Sequence, residues 1–135
     1  MLLALAGLLL AGGFVLARQL EPDPRGFGTH QRLGLPPCSF RLILDLPCPS
    51  CGMTTSFAHF VRGRFGDASR ANFGGMLLAS ACALQLPWCA WSVWRGVLWK
   101  VHRPLETAAW VLLVIAAVCV LNWIVLLGQI ALTSL

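Results

Sequence analysis

The sequence predicts an all-α membrane protein, with three transmembrane helices plus a short interfacial or re-entrant helix after a Cys-Pro-Ser-Cys-Gly knuckle. Three observations lead there. Hydrophobic residues make up 58% of the chain and charged residues 11%, against about 45–50% and about 25% in ordinary soluble domains. The apolar residues gather in three blocks instead of being scattered. Tyr is absent, while six Trp lie mostly near the ends of those blocks, where an amphipathic ring suits the headgroup region. At 135 residues the chain reads as a single membrane domain, 1–135.

The first predicted span is Met1–Ala17, an unbroken apolar run at the short end of what crosses a bilayer. A cleaved signal peptide competes with it, but no Lys or Arg precedes the run, so a retained span is expected. Arg18 to Pro37 is polar and rich in helix breakers. Two prolines and two glycines fall between Glu21 and Gly28, which rules out a regular helix there. Thr29-His30-Gln31-Arg32 suits a single turn. Phe40–Leu46 is a short apolar run carrying Arg41 and Asp45 four apart, which a helical turn would bring together. After the knuckle, Met53, Phe57, Phe60 and Val61 recur at helical spacing, which predicts a short helix with one apolar face, ended at Gly63. The cysteine-containing segment 38–62 is too polar to cross the membrane, given Asp45, Pro47, Pro49 and His59.

Arg64 to Arg70 reads as a charged connector. Asn72–Trp94 is the second predicted span, with Pro87 inside it and a Trp88, Trp91, Trp94 stripe at one end that reads as interfacial anchoring. Arg95 to Arg103 is a basic loop containing Lys100. The third predicted span is Thr107–Leu132. Asn122 and Gln129 lie seven apart on it, and an amide in hydrocarbon most often joins helices, so Asn122 is expected to turn inward against the second span. Basic residues split the topology. Arg18, Arg25 and Arg32 favour a cytoplasmic first loop, while Arg95, Lys100 and Arg103 favour a cytoplasmic second one, and three crossings cannot satisfy both.

Composition also excludes functions. The net charge is +5, but the ten Lys and Arg are spread along the chain. No basic run with interleaved aromatics exists, so no nucleic-acid partner is expected. There is no phosphate-binding glycine loop, no His-Glu-Xaa-Xaa-His and no nucleophile elbow. The five acidic residues form no acid–base pair.

The chemistry that remains lies in the cysteines. Of six, Cys82, Cys89 and Cys119 fall in apolar spans and read as small core residues. Cys38, Cys48 and Cys51 stand in turn-forming, polar surroundings. Four readings are open for them. One is a metal site, of the zinc class by ligand type: the knuckle aims two thiolates at one ion, Cys38 supplies a third, and His59 or His30 a fourth. Another is thiol redox chemistry, with Cys51 at a helix start. A third is a structural disulfide from Cys38 to Cys48 or Cys51. The last is a packed turn with reduced thiols and no cofactor. The spacing places Cys48 and Cys51 one turn apart at the helix start, with Cys38 brought near by the Pro47 turn and all three at interface depth.

Cys38-Ser39-Phe40, then Leu46-Pro47-Cys48-Pro49-Ser50-Cys51-Gly52-Met53-Thr54, with Gly63 and Asn72 beyond, resembles DUF2752, a family of small bacterial membrane proteins of unknown function. The resemblance marks Cys38, Cys48, Pro49, Cys51, Gly52 and Thr54 as motif residues and implies the bacterial cytoplasmic membrane. It implies no activity. Two positions depart from the family pattern. Thr55 stands where Arg is typical, and Phe73 follows Asn72 where Pro is frequent.

The expected function is therefore that of a multi-pass membrane protein, a non-enzymatic accessory or assembly component. Its expected partners are the lipid bilayer and another membrane protein or a second copy of itself. The alternative is a membrane-tethered thiol oxidoreductase or metal-binding protein using Cys38, Cys48 and Cys51.

Overall fold

The computed structural model describes residues 2–96 and 103–133. Most of the basic loop predicted at Arg95 to Arg103, with Lys100, lies outside them, as does Met1. Six α-helices follow in order: α1 Leu2–Gln19, α2 Ser39–Leu44, α3 Met53–Phe60, α4 Phe65–Ala71, α5 Phe73–Arg95 and α6 Pro104–Thr133. A 3-10 turn covers Thr29–Leu33, where a single turn is expected. Among the described residues there is no strand, which bears out the all-α class.

Two helices are long and apolar enough to cross a membrane, over Phe73–Arg95 and Leu105–Leu132. α1, expected as a third span, is a shorter apolar helix, Leu3–Gln19. It continues through Gly12 and Gly13, because glycine weakens a helix without terminating it. α5 likewise runs through Pro87.

Three expectations for the middle of the chain are corrected. The connector at 64–70 is largely helical, forming α4. Asp67 and Arg70 pair across one turn at 3.5 Å, and the fully buried Ala68 seats the helix. Arg41 and Asp45 form no ion pair. α2 ends at Leu44 with Asp45 in the left-handed conformation at φ 53°, which ends the turn that would align them. Arg41 instead stacks on Phe27, its guanidinium carbon 3.4 Å from the ring centre. The third concerns α3. Its predicted apolar face is only half-buried, whereas Thr55, Ser56 and Ala58 are wholly buried.

The α3 correction has a packing cause. At Gly75 of α5, an added Cβ would lie 3.0 Å from the Ser56 Cβ and 3.2 Å from the Met53 Cα. Such backbone proximity requires small residues on both helices, so the small face of α3 points inward. Phe57 and Phe60 turn aside to Phe14 of α1, with ring centres 6.2 and 6.4 Å away. α1 and α3 are also joined end to end by two arginines. Arg62 donates to the carbonyls of Ala17, Ala58 and Arg18 at 3.2, 2.7 and 2.7 Å, and Arg18 donates to the Val61 carbonyl at 3.0 Å. Each satisfies acceptors that a helix C-terminus leaves unpaired.

α6 packs against α5 over its first half and is exposed over much of its surface. Ile115 and Cys119 are its buried residues among those described. Asn122 is exposed, so the expectation that it turns inward is not met. The reason is register. Cys119 already lies against Gly74, the second residue of α5. The residues of α6 beyond Cys119, roughly 21 Å of helix at 1.5 Å per residue, extend past the start of α5. There they run beside the knuckle, where the Trp123 indole N–H donates to the Pro47 carbonyl and its ring meets Phe40 edge-on at 6.2 Å.

Candidate functional site

The knuckle is a hydrogen-bonded turn. Cys51 N–H donates to the Cys48 carbonyl at 3.0 Å and Met53 N–H to the Ser50 carbonyl at 3.2 Å, closing Pro47–Gly52 against the start of α3. Gly52 enters that helix at φ 86°, a conformation that side-chain-bearing residues rarely take. A Cβ there would overlap the Ala71 carbonyl oxygen and lie 2.7 Å from that of Gly26. Glycine is required on both counts, and the turn can therefore sink between two other segments of backbone.

Asn72 holds the turn in place. Its side-chain amide donates to the carbonyls of Pro49 and Cys51 at 3.1 and 3.0 Å, while its Oδ1 accepts from Gly75 N–H at 2.7 Å. One buried side chain thus caps α5 and closes the cysteine loop. Ser56 adds a second tie, its hydroxyl lying 2.9 and 3.0 Å from the carbonyls of Ala68 and Asn72. A third joins the polar N-terminal loop. The Thr55 and Thr29 hydroxyls meet at 2.7 Å, both fully buried, and Thr29 also accepts from Asp23 N–H at 3.0 Å.

Cys38 comes from another direction. It precedes α2, and its carbonyl accepts from the N–H groups of Arg41 and Leu42 at 3.1 Å each. The sulfurs of Cys38, Cys48 and Cys51 all lie within 4.8 Å of one another. The expected convergence of the three thiols is met. All three are half-buried, and the cysteines are free thiols. His59, expected as a possible fourth ligand, is not part of this cluster. It sits at the far end of α3 with its Nδ1 buried and unpartnered, and burial holds its pKa below the usual imidazole value, with Arg64 and Arg62 acting in the same sense and Asp67 against. His30 lies in the 3-10 turn, also outside the cluster. Thr54 is exposed on α3.

The two knuckle thiols are not equivalent. Their sulfurs are 2.9 Å apart, and Cys48 N–H points at the Cys51 sulfur from 3.4 Å. Burial works against a thiolate at Cys48, but hydrogen bonds from Cys51, Ser50 and Cys38 outweigh it and lower that thiol. At Cys51, burial and then the hydrogen bond with Cys48 push the thiol up to about 12. The bond between the two sulfurs thus favours the thiolate at Cys48 and disfavours it at Cys51.

Such a donor set suits a thiophilic ion. Tetrahedral zinc–sulfur bonds of 2.3 Å place ligand sulfurs about 3.8 Å apart, inside the spread of the cluster. Cys48 and Cys51 sit closer than that and would open by about 1 Å to share an ion.

Sequence reasoning placed the cysteines but missed their supports. Asn72 reads as the start of a span, and its role shows only in the Asn-Xaa-Xaa-Gly spacing to Gly75. Thr29, Thr55 and Ser56 carry no sequence signal beyond being polar near an apolar segment.

Fold and site together define an all-α protein with apolar helices and a three-thiol corner on a glycine-dependent turn. Residues 38–86 match the family described as "Protein of unknown function (DUF2752)". That stretch runs from Cys38 through the knuckle, α3 and α4 into α5, and is the part of the chain on which the resemblance rests. No curated protein and no solved structure matches the chain. At Thr55, one of the two positions where the sequence departs from the expected pattern, the side chain is fully buried and bonded to Thr29.

Proposed function

We propose that this is a multi-pass protein of the bacterial cytoplasmic membrane, crossing it with α1, α5 and α6, and that it works as a non-enzymatic accessory component carrying a zinc-class metal on Cys38, Cys48 and Cys51. The observation that carries this reading is the convergence of three sulfurs within 4.8 Å from two separate segments. A packed turn with no ligand does not require three thiols to meet. The membrane placement is supported by α6, whose apolar residues are mostly exposed and would be costly to leave in water. Its exposed faces suit lipid and a partner membrane protein or second copy.

Metal analysis of protein purified in detergent without chelator tests the site. About one zinc per chain is expected, lost in Cys48→Ser and in Cys38→Ser. Metal-free protein with all three thiols open to titration, and no cobalt–thiolate absorption on adding cobalt, would sink the metal reading.

A second reading is favoured by the 2.9 Å approach of Cys48 to Cys51, which suits a dithiol that cycles with a disulfide. It makes the protein a membrane-tethered thiol oxidoreductase. Cys38→Ser separates the two: it removes a metal ligand but leaves the Cys48–Cys51 couple intact.

A further inference from the structure

Away from the thiols, α1, the end of α3 and α5 line a shallow, open groove of about 640 Å³, within the range of about 300 to 1,000 Å³ seen for small-molecule sites. Its walls are apolar, formed by Phe14 and Val15 of α1, Phe60 and Val61 beside it, and Ala83 and Leu86 of α5. One end is polar, where Arg18 and Gln19 close α1.

That end carries uncompensated positive charge. The ion pairs among the described residues are Arg25–Asp23, Arg32–Glu21, Arg70–Asp67 and Arg103–Glu106. Arg18, Arg62 and Arg64 belong to none of them. Arg62 is linked to Ala17 and Arg18 at the end of α1, and the Arg64 backbone N–H, donating to the His59 carbonyl at 3.1 Å, keeps Arg64 at the same end of α3, outside the groove lining. Two acids flank this end, and both are paired elsewhere: Glu21, three residues beyond Arg18, with Arg32, and Asp67 with Arg70. The last carbonyls of α1 would repel an anion, but Arg62 covers those of Ala17 and Arg18. Arg18 uses one nitrogen on the Val61 carbonyl, and its remaining N–H groups are available to an acceptor.

We propose that this groove binds an anionic glycerophospholipid, with an acyl chain along Phe14, Phe60, Ala83 and Leu86 and the phosphate held by Arg18 and Gln19 in the field of Arg62 and Arg64. The apolar walls select a hydrocarbon chain, and the unpaired arginines select a negative headgroup over a zwitterionic one. The groove opens beside α1 and α5, so this proposal rests on the membrane reading of those helices. Carbonate extraction of membranes tests that reading separately.

The test uses the full chain in detergent, titrated with phosphatidylglycerol and with phosphatidylcholine of identical acyl chains. Retained lipid is counted by native mass spectrometry and the thermal midpoint is followed. Phosphatidylglycerol should be retained at least tenfold more strongly and should raise the midpoint more. Arg64→Gln, an exposed position, should reduce that preference, and Arg18→Gln should abolish it. Ala83→Leu, which fills the wall, should weaken both lipids alike. Should Arg18→Gln fail to fold, Arg64→Gln and Ala83→Leu decide the matter. Equal retention of the two lipids by the unaltered protein, or an undiminished preference in both folded arginine variants, overturns the proposal. So does unchanged lipid retention in Ala83→Leu.

Discussion

The knuckle corner and α6 are held by opposite means. Around the knuckle, buried contacts are mostly polar or backbone: Thr29 to Thr55, Ser56 to two carbonyls, Asn72 to the cysteine loop, and glycines where chains touch. In α6 the apolar side chains are largely exposed, and its close contacts include Cys119 against Gly74 and Trp123 at Pro47. The corner specifies its own geometry, since each buried polar group must find its partner. α6 leaves its geometry to whatever surrounds it, because dispersion and lipid contact are non-directional. A thiol site that must hold three sulfurs together belongs on the first kind of structure.

The contrast is sharpest at glycine. Gly52→Ala should be the most damaging single change, because it adds a Cβ at φ 86° against two carbonyl oxygens. A cost of at least about 3 kcal/mol is expected from the strain and overlap together, read as a collapse of the unfolding midpoint in detergent. Gly128→Ala on α6 meets nothing within 4 Å. It should leave the midpoint unchanged or raise it, by less than about 1 kcal/mol. Comparable losses at both sites would erase the distinction between the two regions.

Asn72→Ala comes next. It removes a helix cap and leaves the Pro49 and Cys51 carbonyls unpaired, for a combined cost of about 2–4 kcal/mol. Because the same side chain orients the loop bearing Cys48 and Cys51, metal affinity should fall about 10–100-fold, as for other outer supports of a metal site. Competition with a chromogenic chelator measures it. Full retention of affinity in a folded variant would show that the thiols position themselves.

Gly74→Ala tests the seam between the regions. The new methyl would overlap the Cys119 sulfur, at a cost of about 1–3 kcal/mol for overpacking. In the double variant with Cys119→Ala, the nearest neighbours are the Asn72 Oδ1 and the residue-119 Cβ, each at 3.4 Å, so most of the loss should be recovered. Simple additivity of the two changes would place α6 elsewhere.

A smaller effect concerns reactivity. In protein treated with chelator, Cys48 should alkylate at a lower pH than an ordinary thiol, because the thiolate is the nucleophile and its formation there is favoured. Cys51, held protonated up to about 12, should resist until much more alkaline conditions. Mass mapping of iodoacetamide adducts against pH measures the order, and prior labelling of Cys51 would reverse the assignment. The least effect is expected from Asn122→Leu, within about 0.5 kcal/mol, since the amide is exposed. A loss above 1 kcal/mol, by the membrane hydrogen-bond scale, would mean that a neighbour covers it.

Much was legible from the sequence, for reasons of period and composition. Long apolar runs predict helices whatever surrounds them, and α5 and α6 begin and end within a few residues of the expected spans. Gly52 and Gly63 both take positive φ, as residues of their kind at a turn and a helix end do. The convergence of Cys48 and Cys51 is local, a property of a four-residue turn. Other features depend on residues distant in the chain. Only the tertiary structure decided that α3 turns Thr55 and Ser56 inward and leaves Phe57 and Phe60 at its flank, because the choice rests on the closeness of α5 at Gly75. It also decided that Asn72 serves the cysteine loop 21 residues away, that His59 stands apart from the thiols, and that Asn122 faces outward. Local pattern records how apolar a face is; how closely two backbones approach, and which distant carbonyl needs a donor, is settled only when the helices meet.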